Sequence, residues 1–252
     1  MKKNLSFAVL IALTALWCSC EKVTEDEKKD SYRVAVPEAV DLGLSVKWAS
    51  FNLGADNPEG FGDYFAWGET RPKEDYSWAT YKWSEGGTTT LTKYNTNSQY
   101  GPVDNKKKLD PEDDAAHVLL GGTWRMPTLF ELEELMDFDN SSFSTYTSED
   151  GVIFLKITSR KKGFTDNFIL IPYSGYRSEK STLYCFAAGN DKFFAPLWES
   201  NLCVSEDDAF SKNDNSLNAY YGWFGGGFVS ENPWLKLREN RRYGLAIRPV
   251  CE

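Results

Sequence analysis

Asp104, Asp110, Glu112, Asp113 and Asp114 form the densest acidic cluster in the body of the chain. Grouped carboxylates can hold calcium, which takes six to eight oxygen ligands. Asp110, Asp113 and Asp114 are the calcium candidates, and no other cofactor is expected. No Asp-x-Asp-x-Asp-Gly loop accompanies them, and the same acids suit the positive end of a helix without metal. A second kind of chemistry lies in the rings. Trp78, Tyr81, Trp83, Tyr94 and Tyr100 fall in a stretch rich in Thr, Ser, Asn and Gly. Tyr220, Tyr221, Trp223, Phe224, Phe228 and Trp234 surround a late glycine cluster. Rings on exposed loops stack on sugar faces or anchor protein interfaces. Rings turned inward fill a core instead. Trp78, Trp83, Tyr94, Tyr221, Trp223 and Trp234 are the candidate ligand-binding residues.

Other chemistries are poorly provided for. His117 is the single histidine, which excludes a multi-histidine zinc site. No serine or cysteine motif accompanies it, so it reads as a helix residue and not as a catalytic base. Gly222-Trp223-Phe224-Gly225-Gly226-Gly227 lacks a following Lys-Ser/Thr and reads as a flexible turn, not a phosphate loop. The net charge of -9 argues against nucleic acid, whose binding needs Lys and Arg to displace counterions. Aromatic residues at 15% exclude global disorder, because disordered chains are poor in them.

The N-terminus reads as an address. Lys2 and Lys3 precede an apolar run from Leu5 to Leu16. The run is too short to cross a ~30 Å hydrocarbon layer and suits a secretory signal. It ends Leu16-Trp17-Cys18-Ser19-Cys20, which resembles the lipobox of bacterial lipoproteins, where a cysteine after a small residue becomes the lipidated N-terminus. Ser19 is small and Trp17 is not, so Cys20 is the lipidation residue; Trp17 and Cys18 depart from the usual pattern. Residues 1–19 are then a signal peptide. Residues 20–35 are a charged, disordered tether. Acids just after the lipidated cysteine resemble the surface-export signal of lipoproteins from Bacteroidetes-type Gram-negative bacteria; a solvated spacer is the alternative. The expected location is the outer membrane, lipid-anchored at the cell surface, with membrane contact through the lipid only.

Residues 36–252 read as one domain, without a linker or a repeat. With Cys18 cleaved off and Cys20 lipidated, three cysteines remain. Either Cys185 and Cys203 form a disulfide, worth about 3 kcal/mol, and Cys251 is left over, or all three are thiols. Strand-like runs are Leu44 to Trp48, Val152 to Thr158, Phe168 to Ile171 and Leu245 to Val250. Residues 159–167 read as a hairpin connection. A helix is expected over 109–118, with Asp110 as its cap and Pro111 as its first residue, stopped by Gly121-Gly122. Thr128 and Glu131 form a capping box ahead of Leu132, Leu135 and Met136. Two short helices among short strands and long loops give an α+β class.

Several segments carry a family resemblance. Gly122-Thr123-Trp124-Arg125-Met126-Pro127-Thr128-Leu129-Phe130-Glu131-Leu132 is similar to the Trp-Arg-Leu-Pro-Thr-x-x-Glu-Trp segment of the formylglycine-generating-enzyme superfamily. Tyr243-Gly244-Leu245-Ala246-Ile247-Arg248-Pro249-Val250 resembles its last strand. Val40 to Ser50, Gly62 to Thr70, Pro172 to Ser178 and Leu197 to Ser200 resemble the Fibrobacter succinogenes major paralogous domain family and related Bacteroidetes lipoproteins. The resemblance spans residues 40–250. It implies a C-type-lectin-like fold with its N- and C-terminal strands paired, several short, mostly antiparallel strands and long loops. It also makes Trp48, Trp67, Trp124 and Trp198 framework residues.

Two departures matter. Relatives often have a cysteine where Phe51 stands, so Cys251 is expected to be free. The superfamily's enzymes place a catalytic cysteine after Gly-Phe-Arg, but here Arg248 is followed by Pro249, which has no thiol. The expected function is a non-catalytic domain that binds an extracellular glycan or protein. The alternative is a structural or assembly component of a surface appendage with no small ligand.

Overall fold

Hydrophobic burial gathers the chain around a few small antiparallel sheets. The computed structural model describes residues 32–183, 194–202, 216–225 and 234–252. Cys20, Cys185 and Cys203 lie outside the described residues, and so do the side chains of Trp223 and Trp234. Contacts divide the chain into Met1–Tyr32 and the unit Arg33–Glu252, which contains everything below.

The unit is α+β, with two α-helices and short antiparallel strands among the described residues. Near its start, β1 (Ala39–Val40) pairs with β2 (Lys47–Ala49). The last strand, β11 (Val250–Cys251), closes the other side of β2, with Val250 opposite Trp48. A second sheet has the order β3 (Ser141–Thr147), β4 (Ile153–Ser159), β5 (Phe168–Pro172). Its β-branched residues suit a pleated surface with one buried face. β6 (Tyr176–Ser178) and β7 (Ser181–Leu183) form a small pair. A third sheet joins β8 (Phe194–Leu202), β9 (Asn218–Gly225) and β10 (Trp234–Asn240) in the order β10-β9-β8.

Helix α1 spans Ala115–Leu120 and α2 spans Leu129–Met136. The α2 capping box forms as its sequence dictates. The Thr128 side chain accepts from the Glu131 N–H, and the Glu131 carboxylate accepts from the Thr128 N–H at 2.7 Å. Arg125 clamps the same carboxylate with two nitrogens. Leu132, Leu135 and Met136 of α2 meet Leu155, Ile157, Ile169 and Ile171 of the second sheet and Trp48 of β2 in one core. A second core holds Phe65, Trp67, Tyr94, Met126, Trp198, Leu245 and Ile247. Each such buried side chain contributes about 1.5–3 kcal/mol.

Four sequence expectations are corrected. The helix over 109–118 is split: Pro111–Asp113 is a 3-10 turn, and α1 begins at Ala115. Asp110 makes no cap. Asp114 is the cap, with extended backbone, because Asp113 before it is turned inward onto buried partners. The strand expected over 44–48 is Lys47–Ala49, beginning after the bends of 43–46. The run 245–250 is mostly isolated bridges, Phe65 to Leu245 and Leu197 to Ala246, before β11. Arg248 there turns wholly inward, and Pro249 has no N–H for a ladder. Gly222–Phe224 pairs with both β8 and β10 and Gly225 with β8, so this part of the expected turn is strand, while Gly226 and Gly227 lie outside the described residues. Cys251 is a free, buried thiol, which agrees with the missing cysteine at Phe51.

Candidate functional site

Between Phe65 and Asp114 the chain has only 3-10 turns and isolated bridges. Its shape is set by side chains that satisfy backbone groups. The Tyr76 hydroxyl donates to the Tyr64 carbonyl at 2.6 Å, and the Tyr81 hydroxyl to the Trp67 carbonyl at 2.7 Å. The Trp83 indole donates to the Gly68 carbonyl at 2.8 Å. Asp104 accepts from the backbone N–H of Tyr94 and Asn95 and so closes the 95–104 loop. Gly101 at φ +137 lies against Leu91; a Cβ there would stand 2.3 Å from the Leu91 carbonyl oxygen, so only glycine fits.

Arg241, fully buried, fastens this stretch from within. Its Nε donates to the Tyr81 hydroxyl at 2.8 Å. Its two terminal nitrogens donate to the carbonyls of Tyr94, Ser216 and Lys93 at 2.7–2.9 Å. Its guanidinium carbon lies 5.6 Å from the Trp67 ring centre and 5.2 Å from that of Tyr81. A desolvated guanidinium with all these acceptors fixes several chain segments at once. Nothing in the sequence around Asn240-Arg241-Arg242 marked Arg241 for this role.

The acidic cluster meets its own cations. Oxygens of Asp110, Glu112 and Asp113 lie within 4.8 Å of one another. The Lys93 ammonium sits among them, 2.6 Å from Asp110, 2.6 Å from Asp113 and 3.8 Å from Glu112. Lys82 reaches Asp113 at 2.9 Å, and Lys106 binds Asp110. The third candidate, Asp114, is committed to the backbone N–H groups of Ala116, His117 and Met126. The ammonium thus stands where a cation would stand, and the residues do not fit a resident calcium. Burial disfavours the Lys93 charge, but hydrogen bonds to Asp110, Asp113 and Tyr94 outweigh it and hold its pKa above the usual lysine value. His117 lies in the last turn of α1 with Nδ1 3.2 Å from the Trp124 carbonyl, a structural position.

The ring candidates divide. Tyr94 is fully buried, edge-on to Trp67 and Trp83, with its hydroxyl donating to Asp113 at 2.7 Å. It is corrected to a core residue, because a ring without exposed face cannot stack on a ligand. Trp83 is half-buried, with the ammonium groups of Lys82 and Lys93 4.2 and 4.9 Å from its ring centre. Trp78 is half-buried and edge-on to Tyr81. Tyr221 is half-buried on β9 beside Trp198, on a strand and not on a loop. Trp78 and Trp83 both pack on the Ala66, Tyr76 and Tyr81 cluster, whereas Tyr94 lies within the second core and Tyr221 packs against it.

The carboxylates make stability depend on pH. Burial raises the Asp113 pKa, but hydrogen bonds from Lys93, Tyr94 and Lys82 outweigh it and leave it below the usual range. Burial likewise acts on Glu131 and loses to Arg125 and Thr128. A folded pKa below the unfolded value of about 4 gives stabilisation that is full above that value and lost as pH falls through the folded pKa. Asp114, pushed up by burial, works in the opposite sense. The urea midpoint is expected to fall between about pH 5 and pH 2.5, and Asp113→Asn should flatten that decline. An Asn variant that keeps the wild-type slope would show that Asp113 does not carry it.

No family model, no curated protein and no solved structure matches the chain.

Proposed function

We propose that the chain is a lipid-anchored outer-membrane protein, exposed at the surface of a Gram-negative cell, whose Arg33–Glu252 unit is a C-type-lectin-like binding domain. Its partner is an extracellular glycan or protein, and it catalyses no reaction. One observation carries the reading: the irregular stretch 65–114 is fastened from inside by Arg241 and Asp113 and from its surface by Asp104. Its outer residues, among them Thr88, Thr89, Thr92, Ser98 and Gln99, are exposed on a backbone already held in place. Loops on a rigid scaffold are where binding residues concentrate, and a preorganised surface loses less entropy on binding.

The lectin-like reading is supported by β11 lying beside β2, which joins the two ends of the unit. The non-catalytic reading is supported by Arg248. Its guanidinium is spent on Asn52 and on the Ala49 and Leu170 carbonyls, and burial pulls its pKa down to about 9. Pro249 follows, where the resembling enzymes carry a thiol. The anchor rests on Cys20 alone. Among the described residues no helix is long and apolar enough to cross a membrane.

The wild-type chain is expected in the membrane fraction and Cys20→Ala in the soluble fraction. That soluble chain is then expected to bind members of a glycan or a protein array. Membrane retention of Cys20→Ala would overturn the anchor, and silence on both arrays would overturn the binding domain. An assembly role with no small ligand is the second reading, and the open edge of β3 favours it.

A further inference from the structure

Strand β3 pairs with β4 and, among the described residues, with nothing else. The adjoining bonds set which of its backbone groups are free. The Ser148 N–H donates to the Val152 carbonyl at 2.9 Å, and the Arg160 N–H to the Asn140 carbonyl at 2.8 Å. Antiparallel bonding alternates, so Ser142, Ser144 and Tyr146 bond to β4. Phe143, Thr145 and Thr147 then turn N–H and C=O outward. Thr145 and Thr147 are exposed.

Edges of this kind are normally blunted by charge, proline, a bulge or short length. Ser141–Thr147 has no charged residue and no proline, and its register with β4 is unbroken along all seven residues. Phe143 packs on the core from this edge and touches Phe138 edge-on at 5.2 Å. Phe138 is 37% exposed. A strand added here would bring an apolar side chain beside both rings.

Charge chooses the occupant. Asp137 and Asp139 are exposed at one end of β3, where the Arg160 guanidinium is bound to the Phe138 carbonyl. Glu149 and Asp150 are exposed at the other, where Glu59 accepts from the Tyr146 hydroxyl at 2.8 Å. Two copies paired antiparallel would set acid against acid, on chains that each carry a net charge of -9. We propose that β3 is a docking edge for an extended segment of another protein, uncharged and partly apolar in its middle and basic at its ends, which adds to the sheet as a fourth strand. Main-chain bonds supply affinity in this mode, and alternate side chains supply selectivity.

The test uses the Cys20→Ala chain and a labelled synthetic peptide of about nine residues, alternating valine and threonine with a lysine at each end. Saturable binding by fluorescence anisotropy is expected. A glutamate-ended peptide should bind at least about tenfold more weakly, and one methylated on alternate backbone nitrogens should not bind. Thr145→Pro removes an outward N–H and leaves the β4 bonds in place, so it should weaken binding by at least about tenfold. Thr145→Lys should also weaken it by placing a cation on the edge, with circular dichroism and the urea midpoint confirming that each variant folds. No binding of the lysine-ended peptide, equal binding of the glutamate-ended one, or indifference to both variants would overturn the proposal. A concentration-dependent dimer in sedimentation, abolished by Thr145→Pro, would assign the edge to a second copy and overturn it as well.

Discussion

Arg241→Met is expected to destabilise the Arg33–Glu252 unit by about 4 kcal/mol, because several buried acceptors lose their donors at once. The methionine restores apolar volume but no donors. Left behind are the carbonyls of Lys93, Tyr94 and Ser216 and the Tyr81 hydroxyl, in surroundings where Arg241 itself has no exposure. An unsatisfied buried polar group costs about 1–3 kcal/mol, and coupled losses of this kind do not simply add. Arg241→Lys should rescue little, because one ammonium cannot reach acceptors that a planar fork spans. Urea unfolding followed by tryptophan fluorescence measures both. A loss below about 1 kcal/mol for Arg241→Met would mean that water replaces the guanidinium and that the 65–114 stretch does not depend on it.

Trp198→Ala is the second large effect, expected at about 4–5 kcal/mol, at the upper end for truncating a buried aromatic. Two indoles tie β8 to the 65–67 segment in opposite directions. Trp198 Nε1 donates to the Phe65 carbonyl at 2.7 Å, and Trp67 Nε1 donates to the Glu199 carbonyl at 2.9 Å. Both rings are fully buried in the second core. Truncation at Trp198 leaves a cavity in the second core and takes one of two donors from the Phe65 carbonyl, which keeps the Leu245 N–H at 3.1 Å. Trp198→Phe keeps most of the volume and loses the donor, so about 2 kcal/mol is expected. Equal losses for the two substitutions would show that the hydrogen bond, and not the cavity, dominates.

Much of the site eluded the sequence for the same reason that makes Arg241 costly to remove. Its partners lie far along the chain: Tyr81 is separated from it by 160 positions, Tyr94 by 147 and Lys93 by 148. No periodicity or short spacing encodes such contacts. Arg241 and Lys93 carried no signal in the sequence, and Tyr94 looked like an available ring. Strand β3, rich in serine and threonine, was not among the expected strands, and the glycines of β9 read as a turn; cross-strand pairing overrode that composition.

Features whose partners lie within a few residues were legible. The capping box at Thr128 and Glu131, the stop at Gly121 and the strands at 153–159 and 168–172 follow from local spacing and propensity. The α+β class follows from their mixture, and the net charge and the apolar N-terminal run are properties of the residues themselves. The tertiary structure alone decided that Asp114, and not Asp110, caps α1. It also decided that Lys93 sits among the acids where a cation would otherwise stand, and which rings are buried. Each of those outcomes is a choice among partners of similar chemistry, and distance in the folded chain makes the choice, not position along it.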